Sequence, residues 1–452
     1  MGVPTSEGDV YDKVLLSGAD QPPLHIANDK QLVDELKRRF PSLSSSLDRF
    51  VRCSAKMLAL FPLWCLSSIL PHSLRALLLS SPLFSHWRTW ASLTATDGLE
   101  SFFPGSDRDS STLKSFLSSL WIDTGSPPDR MSFFMAAAVH IGFPHVGGGY
   151  PDGGPEEMAL ALVEAIEARG GSVLVCADVE QVVVERRGGK DVATGVLLAD
   201  GAEIKADCVI SACGYRLTAT RLLPRATAER HGLSPNALPV PQSDGFVMCN
   251  IALRGSASEL GLECTNLWVQ PCSAANGHSL AQGVRNYLED PLGVPVDEIP
   301  MMITLPSVKD RLWHNTRPDY SMVQTLCLAP WHWFSQHQAE VRSPARNAPP
   351  HLEREGQAEY NLLKERWTKR CVQLVCAHLP KVDASCIAFA DLSTPLTIEH
   401  YLPSTKGSAI GLDVVPERFT DLNVIKKLDM RTGVANLWLT GQDTLLCGQP
   451  LA

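Results

Sequence analysis

The sequence has no long unbroken hydrophobic run. Its most apolar stretch, Met57 to Trp87, is dense in Leu, Phe and Trp, but Pro62, Pro71 and Pro82 break it and His72, Arg75 and His86 interrupt it. A bilayer span needs about 20 mostly apolar residues in a row. The stretch is therefore not a convincing transmembrane helix, and the ordinary globular composition excludes a polytopic membrane protein. The stretch reads either as buried helices or as an interfacial hairpin that dips into a membrane. A cationic surplus is also missing: the net charge is −9. Nucleic-acid binding needs clustered Lys and Arg, so that class of partner is not expected. The N-terminus lacks a signal-peptide pattern, and Met1–Ser6 fits only the short myristoylation pattern, which arises easily by chance. The 13 cysteines contain no CxxC pair; the closest are Cys208 with Cys213 and Cys371 with Cys376. Reduced, mostly buried thiols are the expected state. The histidines form no ligand pattern, so no metal site is expected. There is no HExxH, no Gly-x-Ser-x-Gly elbow and no phosphate loop, since Thr405–Ser408 lacks the first glycine and the spacing. The usual hydrolase and nucleotidase chemistries are thus absent.

What is present is an ordinary globular composition, 44% apolar and 20% charged, over 452 residues. That length is too great for one core and suggests about three compact units. Asp12–Ser17 reads as a strand, and Asn28 or Asp29 caps a helix that ends before Pro41. Helical patterns continue over Thr112–Trp121 and Met131–Ile141. The character changes at Gly147–Gly154, a glycine turn that fails the dinucleotide fingerprint, with Asp152 where glycine is required. Pro155 then opens a helix whose apolar stripe is Met158, Leu162 and Ile166. A strand over Ser172–Cys176 follows, and then a meander of Val182–Glu185, Val192–Ala199 and Glu203–Ala212, joined by Gly188-Gly189 and Asp200-Gly201 turns. Further on, Met301–Leu305 and Ser321–Leu328 read as strands and Glu359–His378 as a helix. Arg342–Glu355 reads as a polar loop. Asn436–Thr440 is a buried strand running straight into Gly441-Gln442-Asp443. No internal repeat is found.

This order of helix, strand, Asp-Gly meander, Val209–Gly214 and a late strand ending in Gly-Gln-Asp resembles the flavin-dependent amine-oxidase and phytoene-desaturase superfamily. Finer motifs resemble one branch, the all-trans-retinol 13,14-reductase (retinol saturase) family. They are Tyr150-Pro151-Asp152-Gly153-Gly154, Leu305–Asp310, Trp333-Phe334 with Gln338-Ala339-Glu340, Thr394–Thr397, Tyr401-Leu402-Pro403, Leu439–Asp443 and Cys447-Gly448. The likeness covers nearly the whole chain in order. Two departures stand out. No Gly-x-Gly-x-x-Gly occurs anywhere, and little chain follows Cys447-Gly448. The sequence therefore reads as lacking the strand–glycine turn–helix that cradles the FAD pyrophosphate, as a truncated gene model, a splice form or a fragment would.

The resemblance implies an α/β protein: an incomplete Rossmann-like, glutathione-reductase-type FAD/NAD(P)-binding domain over 1–20, 147–230 and 386–452. A mixed α+β substrate or membrane-facing domain would take 21–146 and 231–385. It implies FAD-dependent reduction of a carbon–carbon double bond in a retinoid or related polyene, with NAD(P)H as electron donor, at the endoplasmic reticulum membrane. The alternatives are a carotenoid isomerase or desaturase of the same superfamily and a non-catalytic lipid-binding remnant. The resemblance places Val179, Gly214, Gly441, Gln442 and Asp443 at the cofactor, and Pro395, Leu396 and Tyr401 beside the substrate slot. The residues alone leave these open: Asp443 also suits a helix N-cap, Val179 a plain strand, Gly214 a plain turn and the last three the core. No side chain is singled out as catalytic, although Tyr401 carries a transferable proton.

Overall fold

In the computed structural model the described residues are 10–18, 21–146, 148–233, 238–272, 279–338 and 358–444. Within them the strands are β1 Asp12–Ser17, β2 Leu24–Ile26, β3 Val179–Arg187, β4 Lys190–Leu198, β5 Glu203–Lys205 and β6 Val209–Ser211. They continue with β7 Gly245–Arg254, β8 Asn266–Pro271, β9 Met301–Thr304, β10 Tyr320–Ala329, β11 Ile387–Ser393 and β12 Leu437–Leu439. A seven-stranded mixed sheet runs β11-β7-β10-β9-β8-β1-β2, with β1 parallel to β8. The expected loop over Arg342–Glu355, the myristoylation pattern and Cys447-Gly448 lie outside the described residues.

Alternation along the central strands sends successive side chains to opposite faces. On one face Val247, Cys249, Ile251, Val323 and Ile303 meet Trp367, Cys371 and Leu374 of the helix Ala358–His378. On the other, Phe246, Trp268 and Leu328 meet a layer of N-terminal helices. In that layer Asn28 caps the helix Asp29–Arg39, its side chain accepting from Gln31 N. The helix Ser44–Leu66 follows with Pro62 inside it. Phe50, Met57 and Trp64 form its buried stripe, at the steps of seven that return to one helix face. The run Pro41–Ile69 is long and apolar enough to cross a membrane by length and composition. Its inner stripe instead joins the core, where Trp87 packs 4.7 Å from the Phe134 ring. The expected proline break at 62 does not occur.

Two further sheets are small. The Gly188-Gly189 and Asp200-Gly201 turns fold β3, β4 and β5 into an antiparallel meander. The strand expected over Glu203–Ala212 is divided, because the chain changes partner within it. Ala206 N still donates to Thr194 O of the meander, whereas Val209 N donates to Asn436 O. β6 then pairs in parallel with β12. The expected strand over Ser172–Cys176 is corrected: it is an irregular, exposed segment that bends at Val175 and Cys176, with Cys176 at a φ of +55°. No described strand lies beside it to take its backbone hydrogen bonds. The helix Glu156–Glu167 forms as expected, yet its stripe of Met158, Leu162 and Ile166 is exposed. The thiols differ as well. Of the twelve described cysteines, all unpaired, five are buried and four exposed.

His140 is fully enclosed by the helical layer. Its Nδ1 lies 3.0 Å from Ala136 O, and Leu120 N donates to its Nε2 at 3.3 Å. These partners fix a neutral imidazole with the proton on Nδ1, because a carbonyl only accepts and a backbone N–H only donates. Burial pushes its pKa down to about 4. Because the folded state resists protonation, this stability is complete above the unfolded value and is lost as pH falls toward the folded one. Linkage predicts about 2 kcal/mol less stability near pH 5 than near pH 7.5 from this group. Urea unfolding of wild type and His140→Gln at both pH values should show that excess slope only in the wild type.

Candidate functional site

The pairing of β6 with β12 builds the candidate site. Two parallel strands end side by side, and open α/β sheets collect ligands outside such carboxyl ends. From β6 the chain turns through Ala212-Cys213-Gly214 into a short helix at Tyr215, and from β12 it continues as Thr440-Gly441-Gln442-Asp443. Thr440 N donates to Ser211 O at 3.0 Å, holding the two exits together. Between them and the 402–411 loop lies a cavity of about 200 Å³. Gly214, Arg216, Gln242, Leu402, Gln442 and Asp443 are among its lining residues.

Asp443 ties this corner together. It is 3% exposed. Its Oδ2 accepts from Tyr215 N at 2.7 Å, and its Oδ1 accepts from Leu412 N at 2.8 Å. One carboxylate thus caps the turn after β6 and anchors the 402–411 loop. The buried Arg418 completes the corner, donating to Leu412 O at 2.7 Å and to Gln442 O. Around the loop, Asp413 is buried and paired with Arg130, whose Nε lies 2.7 Å from its Oδ2. Arg130 also holds Asp244 at 2.6 Å. Burial raises the Asp413 pKa, and the Arg130 charge works against that rise.

Three of the expected cofactor residues, Gly214, Gln442 and Asp443, come together at the cavity, and Gly441 immediately precedes the last two. Val179 does not join them. It opens β3 opposite Leu198 and packs on the core beneath the meander. Pro395 and Leu396 are buried, with Leu396 in the core beside the large sheet. Tyr401 is 56% exposed and lies against His400 at a centroid distance of 4.8 Å. None of these three lines the cavity; the neighbouring Leu402 does. Sequence reasoning missed Arg418, Arg130 and Gln242, because the partners of the two arginines and the cavity that Gln242 borders are assembled from separate segments of the chain.

No protein-family model matches the chain. It is 27% identical over 427 residues to the all-trans-retinol 13,14-reductase of Danio rerio, covering 93% of this chain and 66% of that protein. It is 26% identical over 445 residues to the Homo sapiens protein of the same name, covering 97% and 69%. The chain is thus similar to proteins named all-trans-retinol 13,14-reductase along nearly its whole length. It spans about two thirds of the length of these curated relatives. A Danio rerio relative named inactive all-trans-retinol 13,14-reductase is 26% identical over 432 residues, covering 93% of this chain and 65% of its own. Among solved structures, wild-type putrescine oxidase bound to putrescine matches with a TM-score of 0.52 at 11% identity. The match covers 96% of this chain and 76% of that one. The likeness is one of fold, and that fold is a mixed α/β architecture.

The backbone at the cavity demands glycine. Gly214 has a φ of +90°, a region costly for residues with a Cβ. A Cβ there would stand 2.8 Å from Asp443 Oδ2. Gly214→Ala is expected to destabilise by about 1–3 kcal/mol through the strained backbone. A lowered urea midpoint with an unchanged m-value would show it.

Proposed function

We propose that this protein is an FAD-dependent oxidoreductase that reduces a carbon–carbon double bond of a retinoid or a related polyene. NAD(P)H would be the electron donor and the endoplasmic reticulum membrane the working place. The observation that carries this reading is the likeness to all-trans-retinol 13,14-reductases along 93–97% of the chain. The fold likeness and the cavity at the carboxyl ends of β6 and β12 support it.

The residues present fit part of the cofactor. Gln242 lines the cavity and its buried Oε1 lacks a hydrogen-bond donor, as would suit a ligand rich in N–H and hydroxyl donors. The cavity is smaller than the roughly 300–1,000 Å³ of whole-ligand pockets, so it takes a fragment of a flavin dinucleotide. Among the described residues no glycine-rich strand-to-helix turn cradles a pyrophosphate. A bound flavin supplies the hydride that no side chain can. Gly214, Gly441 and Gln442 would border it. Asp443 would act by positioning, since both its oxygens already hold backbone N–H groups.

The absorption spectrum of purified protein, with and without added FAD, tests the cofactor. A band near roughly 450 nm that survives desalting is expected of a bound flavin. Incubation with all-trans-retinol and a reductant should then give a product two hydrogens heavier; unchanged mass with altered geometry would indicate isomerisation. The named relatives do not favour the isomerase. The non-catalytic reading rests on the lack of a Gly-x-Gly-x-x-Gly in the sequence, and a protein that stays colourless with FAD would favour it.

A further inference from the structure

The exposed side of the helix Ser44–Leu66 carries a composition that its buried side does not explain. Arg49, Arg52, Lys56, Ala59, Leu63 and Leu66 follow one another at steps of three and four, which places them on one stripe. All six are exposed. The first half of this stripe is cationic and the second half is apolar. The apolar half continues past the helix end onto the next turns, where Ile69 is 71% exposed and Leu77 70%. Leu66, Leu74 and Leu83 are exposed beside them. From Arg49 to Thr96 the sequence contains no Asp or Glu, in a chain whose net charge is −9.

This tip is held rigidly. Arg431 donates to Ser68 O at 2.9 Å and Leu70 O at 2.8 Å, clamping the turn after the helix to the body of the protein. Beneath it Asp429 pairs with Arg431 at 2.7 Å and with the buried Arg75 at 3.6 Å. The charges within the hairpin are thus neutralised from inside, while those of the stripe face outward. The buried stripe of Phe50, Met57 and Trp64 fixes the rotation of the helix, so the apolar surface cannot turn inward.

We propose that this face docks on an anionic lipid membrane, with Leu66, Ile69, Leu74, Leu77 and Leu83 entering the acyl boundary and Arg49, Arg52 and Lys56 resting on the headgroups. An apolar tip with a basic collar is the arrangement by which helices lie in a bilayer interface, and basic residues near such a surface attract anionic lipid. Acid-free sequence in an otherwise acidic chain supplies the charge complementarity. The inference stands on the surface alone, and a protein that bound no flavin would dock equally well.

Flotation of the full chain with phosphatidylcholine vesicles, with and without phosphatidylserine, tests it. Wild type should float with the anionic vesicles at least tenfold more than with neutral ones, and less as salt rises. The triple variant L66S/L77S/L83S should lose at least tenfold of that binding. The variant R49E/R52E/K56E should lose the preference for anionic lipid while keeping its far-ultraviolet spectrum. Should the leucine variant unfold, L77S alone and the charge-reversal variant carry the comparison. Wild type that floats with neither vesicle, or variants that float like wild type, would overturn the proposal. So would a wild-type dimer on gel filtration that L77S turns into a monomer, since a second copy would then cover the face.

Discussion

Replacing Trp87 by alanine should destabilise the protein by about 3–5 kcal/mol, the range for deleting a large buried aromatic from a packed core. Trp87 is 1% exposed. Its ring stacks on Trp64 at 5.9 Å and on Phe61 at 6.3 Å. Its Nε1 donates to Phe419 O at 3.0 Å. That last bond joins the helical layer to the segment carrying Arg418, so the change removes volume and also leaves a buried carbonyl unpartnered. Trp87→Phe separates the two effects: it keeps much of the ring and loses the N–H, and about 1–3 kcal/mol is expected. Equilibrium unfolding in urea, followed by far-ultraviolet circular dichroism, measures both. A loss under 1 kcal/mol for the alanine variant would mean that this aromatic cluster is not packed as described.

Replacing Asp443 by alanine should cost about 3 kcal/mol or more. Hydrogen bonds to a charged group contribute roughly 1.5–3 kcal/mol each, and two buried backbone N–H groups would lose their acceptor. Those groups belong to Tyr215 and Leu412, in two segments that this one carboxylate bridges. Asp443→Asn retains an acceptor for one of them, and about half the loss is expected. The informative readout is amide hydrogen exchange. Protection at Tyr215 and Leu412 should fall together in the alanine variant, whereas a residue serving only a bound cofactor would leave both unchanged.

Much of the fold was legible because its signals are local. The Gly188-Gly189 and Asp200-Gly201 turns between alternating apolar runs set the meander, and Asn28 set the start of the first helix. Helix Glu156–Glu167 was also legible, but its apolar stripe is exposed among the described residues. The same reasoning misplaced Ser172–Cys176, because an apolar β-branched run is a strand only when another strand lies beside it. At the site the sequence pointed to Gly214 and Gly441-Gln442-Asp443 through a resemblance. It could not say that each oxygen of the Asp443 carboxylate already accepts from a backbone N–H, nor that Leu396 packs in a core. Arg130 and Arg418 were invisible: the half-buried Arg130 is defined by distant carboxylates and the buried Arg418 by carbonyls outside its own helix, and no spacing rule finds either.

The parallel pairing of Val209–Ser211 with Leu437–Leu439 fixes an order of events. During synthesis the first of these strands leaves the ribosome more than two hundred residues ahead of its partner. Until the second emerges, Tyr215 N has no carboxylate to meet and Ser211 O has no Thr440 donor. Domains fold as they appear, N-terminal portions first, so the meander and the helical layer can form while this corner is still open. The cavity is therefore among the last features of the molecule to exist, and a nascent chain halted short of residue 437 would carry Gly214 without any cavity around it.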